Sequence, residues 1–194
     1  MKRDLKKVLD DILFQNTGST TAILEAVTNK TVEVEIIQEN IIHDDRYSNQ
    51  YNWGDSLMLR ATTLKAEGVD ISDNIVIYDP NKINQLDDFS VQNCSFPIGK
   101  LLENIEYRRV TINSGIKNPN FLSEYCDFFN LTTTKYPVKE YQYIHDNEVY
   151  FHIIELYLDD NLLKVLNDTL TWFWTNISCC YRTLSEIQKQ TVLA

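Results

Sequence analysis

The chain has 194 residues, 43% of them hydrophobic, with only five glycines and four prolines. That composition excludes a disordered or collagen-like polymer and is ample for a hydrophobic core. A formal net charge of −10 argues against nucleic acid or an anionic membrane as the main partner. It leaves room for a small anionic ligand held by a few local cations.

Residues 2–14 place Leu5, Val8, Leu9, Ile12 and Leu13 at helical spacing, which predicts an amphipathic helix against a core. Gln15 to Gly18 ends it. Gly18-Ser19-Thr20-Thr21 then opens a second helix, Ala22 to Val27, with a hydroxyl available to cap the start or to help hold an anion. From Thr31 to Ile42, Val32, Val34 and Ile36 alternate with Glu33 and Glu35, as in a half-exposed strand. The Ile36-Ile37 pair marks a bulge or a step into deeper burial. His43-Asp44-Asp45 through Gly54 reads as a polar loop, a solvated turn rather than a metal trio.

Ser56 to Leu64 is a strand with Leu57, Leu59 and Ala61 on one face and Met58, Arg60, Thr62 and Leu64 on the other. Arg60 is a guanidinium among apolar neighbours. Its rigid fork suits a carboxylate, either of a structural Arg–Glu pair or of a ligand. Gly68-Val69 turns the chain into a strand from Ile71 to Tyr78, stopped by Asp79-Pro80. Residues 81–95 read as irregular or weakly helical, and Pro97 starts a short helix through Leu102. Ile105 to Ile112 is a strand carrying Arg108-Arg109, of which at most one can point into a given pocket. Asn118 to Phe129 follows as a helix. Lys139–Ile144 and Glu148–Leu158 form a hairpin around His145-Asp146-Asn147.

The last strand carries the most information. Within Tyr150 to Leu158, Phe151, Ile153 and Tyr157 share one face, and Ile154, Leu156 and Leu158 the other. Such a two-sided apolar pattern fits an interior strand. Glu155 falls on the first face, where a carboxylate is costly to bury without a partner. It is either a strand-end Glu paired with a surface base or a functional acid.

After it, Leu162, Leu163, Leu166, Leu170, Phe173 and Ile177 form a helical stripe, interrupted by Asn167 and Asp168 and hence no membrane span. Core cover or pairing of two copies into a homodimer is its expected use. The cysteines Cys94, Cys126, Cys179 and Cys180 form no CxxC and stand at no ligand spacing from a histidine, so no structural zinc is expected. With no apolar signal stretch among the first residues, a reducing cytoplasm is the expected home. The whole reads as one α+β domain with a C-terminal helical extension.

The order of these motifs resembles the chorismate pyruvate-lyase (4-hydroxybenzoate synthase) family, including its bacterial and archaeal branch. The likeness rests on Gly18-Ser19-Thr20 opening a helix, then Thr31-Val32-Glu33-Val34 and Leu57-Met58-Leu59-Arg60. It continues through Pro97-Ile98-Gly99-Lys100-Leu101-Leu102, Tyr107-Arg108-Arg109 and Ile153-Ile154-Glu155-Leu156-Tyr157-Leu158.

The resemblance implies an antiparallel sheet of about six strands covered by helices over residues 1–160, with residues 161–194 as a helical extension. It further implies a cofactor-free carbon–oxygen lyase that converts chorismate to 4-hydroxybenzoate and pyruvate, without a metal. Arg60 and Glu155 would be catalytic. Arg60, Ile98, Ser19, Gly99 and Lys139 would bind the small anionic aromatic substrate and product. In an apolar pocket, Glu155 would supply the acid/base step.

The chain departs from that pattern in places. Ser19 stands where characterised members have methionine, Ile98 replaces a leucine, and Lys139-Glu140 replaces an adjacent basic pair. Residues beyond about 161 have no counterpart. A second class uses the same architecture as a small-molecule sensor in bacterial transcription regulators, and a chain of this kind could bind an aromatic acid without turning it over. A third expectation, a structural partner protein, would use the Trp-rich tail.

Overall fold

The computed structural model describes residues 4–83, 98, 107–118, 128–129 and 135–171. Its centre is a six-stranded antiparallel sheet of β1 (Val32–Ile42), β2 (Leu57–Ala66), β3 (Val69–Tyr78), β4 (Arg108–Lys117), β5 (Tyr136–His145) and β6 (Glu148–Tyr157), in the order β1-β2-β3-β6-β5-β4. The expected α+β architecture is thus the observed one. β6 lies inside the sheet between β3 and β5, as its two apolar faces require. β1 is an edge strand, which its alternating exposure reflects. Its register slips between Ile36 and Gln38, so the paired isoleucines do mark a bulge.

Two hairpins fix the register. Glu67 and Gly68 have φ of 50° and 75°, and Asp146 and Asn147 have φ of 49° and 64°. Two consecutive left-handed residues match the right-handed twist of antiparallel strands. The first turn sits one residue earlier than Gly68-Val69.

Helices cover one face. Both α1 (Leu5–Gln15) and α2 (Thr20–Thr28) begin at side-chain caps, Asp4 accepting from Lys6 N and Ser19 from Ala22 N. Leu9, Leu13 and Leu24 pack on Val32, Leu64, Ala66, Ile71 and Tyr157. The opposite face buries Leu57, Leu59, Ala61, Ile75, Ile77, Ile154 and Leu156 beneath Tyr51 and Trp53. Those two aromatics belong to or follow α3 (Asp45–Tyr51), where a loop was expected. Asp44 caps this helix by accepting from Arg46 N, and Tyr47 and Tyr51 stand one turn apart on it. Polar composition concealed the helix. His43, meanwhile, bonds the Asp55 carbonyl through Nδ1 at 2.8 Å rather than joining a metal trio.

A single turn, α4 (Pro80–Ile83), follows β3, and residues 159–171 form a further helix, α5. Leu162, Val165 and Leu166 of α5 are buried against α1 and α2, and Thr169 donates to the Thr28 carbonyl at 2.7 Å. Leu170, expected on the buried stripe, is 42% exposed, because the face that packs is the one carrying Val165. Phe173 and Ile177 lie outside the described residues, as does most of the expected helix from Asn118 to Phe129.

Asp73 is the buried acid of the α3-covered face. It accepts a hydrogen bond from Thr63 Oγ1 at 2.6 Å, directly across the β2–β3 pair. Burial raises its pKa from 3.8 to about 6, against the Thr63 bond, which lowers it. An acid whose folded pKa lies above the unfolded one holds its proton more tightly in the native state. Its burial therefore costs stability that sets in as pH rises from about 4 and is complete above about 6. Asp73→Asn should be more stable than the parent by an amount that grows across that window, up to about 3 kcal/mol at neutral pH. Urea melts at several pH values test this, and a difference independent of pH would contradict it.

Candidate functional site

Register brings the polar residues of the helix-covered face together. Arg60 pairs with Val76, Val76 with Ile153, and Ile153 with Tyr141, so these four share one row and one face. The next row runs Thr62, Asn74, Glu155 and Lys139. On the other side of the Arg60 row, Arg109 pairs with Tyr143. All of these but Lys139, together with Ser19, Thr20, Thr21 and Ile98, line a half-open cavity with an internal volume of about 50 Å³. Val34, Leu64, Val76, Ile98 and Ile153 give it apolar walls.

Glu155 is 5% exposed and accepts three hydroxyl hydrogen bonds. Tyr141 donates to Oε1 at 2.7 Å, while Tyr157 at 2.7 Å and Thr20 at 3.0 Å donate to Oε2. Short charge-assisted bonds, with the Lys139 and Arg109 charges nearby, are how a carboxylate survives in the middle of a sheet. Burial first, and the adjacent Glu155 charge second, hold both phenols well above their ordinary pKa, so they are donors at neutral pH.

Two guanidinium groups reach the cavity. Arg60 is 1% exposed, and its Nε lies 3.3 Å from Glu39 Oε1 on the neighbouring edge strand. Arg109 donates to Thr20 Oγ1 at 3.2 Å and to the Tyr143 hydroxyl. Its guanidinium carbon lies 4.3 Å from the Tyr141 ring centre and 4.9 Å from that of Tyr143, within cation–π range of both. Arg109 Nε is buried without a hydrogen-bond partner among the described residues.

Of the residues expected to form the site, Arg60, Glu155, Ser19 and Ile98 line this one cavity. Ser19 also caps α2, so it serves the helix as well as the wall. Gly99 lies outside the described residues. Lys139 is not on the wall of this cavity. Its fully buried ammonium donates to the Leu13 carbonyl at 3.1 Å and to the Asn16 carbonyl, which closes the C-terminal end of α1. A cation there satisfies orphan carbonyls and complements the helix dipole. Burial brings its pKa down to about 8 although Glu155 pulls it up, so it still carries most of its charge at pH 7.

Arg109 was not singled out from its neighbour Arg108 in the sequence, and Thr20, Asn74, Tyr141, Tyr143 and Tyr157 were not named for the site. A parity count along the last hairpin carried the missing signal. Tyr141 and Tyr143 alternate with Lys139, and Tyr157 with Glu155, so all five share a face. No group of three or more metal-ligating side chains occurs among the described residues, nor any helix long and apolar enough to cross a membrane.

The sheet order and its covering helices define a fold class, the chorismate lyase-like α+β fold that effector domains of GntR-family transcription regulators also have. More particularly, the chain is similar to the effector domain of PhnF from Mycobacterium smegmatis, with 13% identity and a TM-score of 0.56 over 73% of this chain and 89% of that one. PhnF from the same organism matches with 12% identity and a TM-score of 0.56 over 76% and 66% of the two chains. A GntR-family transcriptional regulator from Bacillus cereus is 15% identical over 66% and 91%, with a TM-score of 0.48 that adds no weight. No protein-family model matches the sequence, and no curated protein matches it. At these identities the likeness shows the fold.

These neighbours overturn the expectation of an enzyme. The match over most of both chains is to an effector domain rather than to a lyase. Nor do they support the expected absence of a nucleic-acid partner.

The hydroxyl cage around Glu155 sets a local stability cost. Tyr141→Phe keeps the ring but removes one donor to a buried carboxylate, and should destabilise the fold by about 1–3 kcal/mol. Chemical denaturation measures this, and an unchanged midpoint would show that Oε1 is satisfied by other means.

Proposed function

We propose that the chain is a non-catalytic binding domain for a small anionic aromatic acid. One observation supports this above the rest. Two buried guanidinium groups, Arg60 and Arg109, line an apolar cavity whose buried carboxylate is already held by three hydroxyl donors. Fixed cations on apolar walls suit a flat carbon skeleton bearing an acid group. Stacking of Arg109 on Tyr141 and Tyr143 pre-orients one cation, and the Glu39 contact braces the other. Glu155, with its oxygens engaged, supports the cavity wall through Thr20 instead of exchanging a proton.

In this proposal residues 1–160 are the binding domain, working in the cytoplasm. Residues 161–171 pack on the domain as part of α5, and the remainder of the expected extension lies outside the described residues. The architecture it shares with regulator effector domains makes signalling the natural use of such binding.

Calorimetric titration of the purified chain with 4-hydroxybenzoate tests the proposal. Saturable binding is expected. Arg60→Ala and Arg109→Ala should each weaken it about 10- to 100-fold, the size of a lost hydrogen bond to a charged group. Circular dichroism would check that both variants remain folded. Failure of the wild-type chain to bind this acid or related benzoates would overturn the proposal.

A further inference from the structure

Both edges of the sheet are open among the described residues, and they differ in charge. β1 carries Glu33, Glu35 and Glu39 with no Lys or Arg, whereas β4 carries Arg108, Arg109 and Lys117 with no acid. An edge strand presents backbone N–H and C=O groups that another chain can pair with. A bulge interrupts each edge, between Ile36 and Gln38 on β1 and between Thr111 and Asn113 on β4. Each edge therefore keeps one regular stretch at matching ends of the sheet, residues 32–36 and residues 113–117.

The sheet itself fixes how these stretches would meet. Every neighbouring pair of strands is antiparallel, so β1 and β4, at opposite ends of the order, run in opposite directions. A second copy laid beside the first with the same face up brings its β1 antiparallel to β4. One row of cross-strand partners crosses the whole sheet: Ile36, Thr62, Asn74, Glu155, Lys139 and Ser114. Continuing that row into the second copy sets Ser114 against Ile36 of that copy. Counting along the two strands then sets Ile116 against Val34 and Lys117 against Glu33. The first is an apolar pair and the second an ion pair, each with both members on one face. Ile116 is half exposed in the single chain. Gly115, between Ile116 and Ser114, falls opposite Glu35, and a Cβ built there would meet nothing within 4 Å. A strand glycine with open space beside it lets another backbone come close.

We propose that β4 of one copy pairs with β1 of a second copy, so that the two sheets continue head to tail. Pairing like edges is disfavoured, because two β1 strands would bring glutamates together and two β4 strands would bring arginines and lysines together. The contact is heterologous, so a pair of copies still has one free edge of each kind and the assembly grows past two. The short stretch, and a net charge of −10 on each copy, make the association weak and dependent on concentration.

Sedimentation velocity of the full chain tests this, at about 0.15 M salt so that net repulsion is screened beyond about 8 Å. The weight-average mass should climb with protein concentration and not level off at two copies. Glu33→Lys and Lys117→Glu should each weaken association about tenfold, since each turns the ion pair into a like-charge pair. An equimolar mixture of the two variants should recover it, because every junction of an alternating assembly again joins opposite charges. Circular dichroism checks that both variants fold. Should one not fold, Ile116→Asp on the exposed edge should weaken association by a similar factor. A chain that stays monomeric throughout, a mass that levels off at two copies, association unmoved by these substitutions, or a mixture no better associated than either variant alone would overturn the proposal.

Discussion

A carboxylate in the middle of a six-stranded sheet has to be satisfied, and much of the molecule is arranged around how Glu155 is. Its three donors come from three elements: Tyr141 on β5, Tyr157 on β6 itself, and Thr20 at the start of α2. The last of these ties helix to sheet. Thr20 donates to Glu155 and accepts from Arg109, so one hydroxyl joins the helix start, the buried acid and the edge-strand cation. Loss of that oxygen would leave both a charge and a guanidinium short of a partner, which is the expensive direction for a buried polar network.

The same cage decides what the cavity can offer a ligand. With both Glu155 oxygens bonded to hydroxyls, Arg60 and Arg109 present donors to the cavity. A donor-rich cavity suits an acid and disfavours an amine. Lys139 adds no further cation to it, because its ammonium closes the end of α1. A basic residue on the right face of the right strand can thus serve a helix terminus.

Much of the fold was legible because strands announce themselves by parity. Phe151, Ile153 and Tyr157 against Ile154 and Leu156 placed β6 inside the sheet, and Leu57, Leu59 and Ala61 gave β2 its two faces. What parity within one strand cannot supply is register between strands. That is why Arg60 was matched to a glutamate without Glu39 being named, and why Arg109 was not separated from Arg108. α3 was hidden by its composition, since Asp45, Arg46, Ser48, Asn49 and Gln50 outweigh the pair of tyrosines that face the core. The chemistry went astray for a different reason. A resemblance in motif order is a statement about fold, and one fold serves both turnover and sensing. In the reading proposed above, the hydroxyls that engage Glu155 are what sets a binding site apart from a catalytic one.

The most direct test of this account is a crystal structure of the chain with a bound hydroxybenzoate. The account predicts the acid group of the ligand on the guanidinium groups of Arg60 and Arg109, with Thr20, Tyr141 and Tyr157 still bonded to Glu155. A ligand bonded directly to the Glu155 carboxylate, with any of those three hydroxyls turned away, would contradict it.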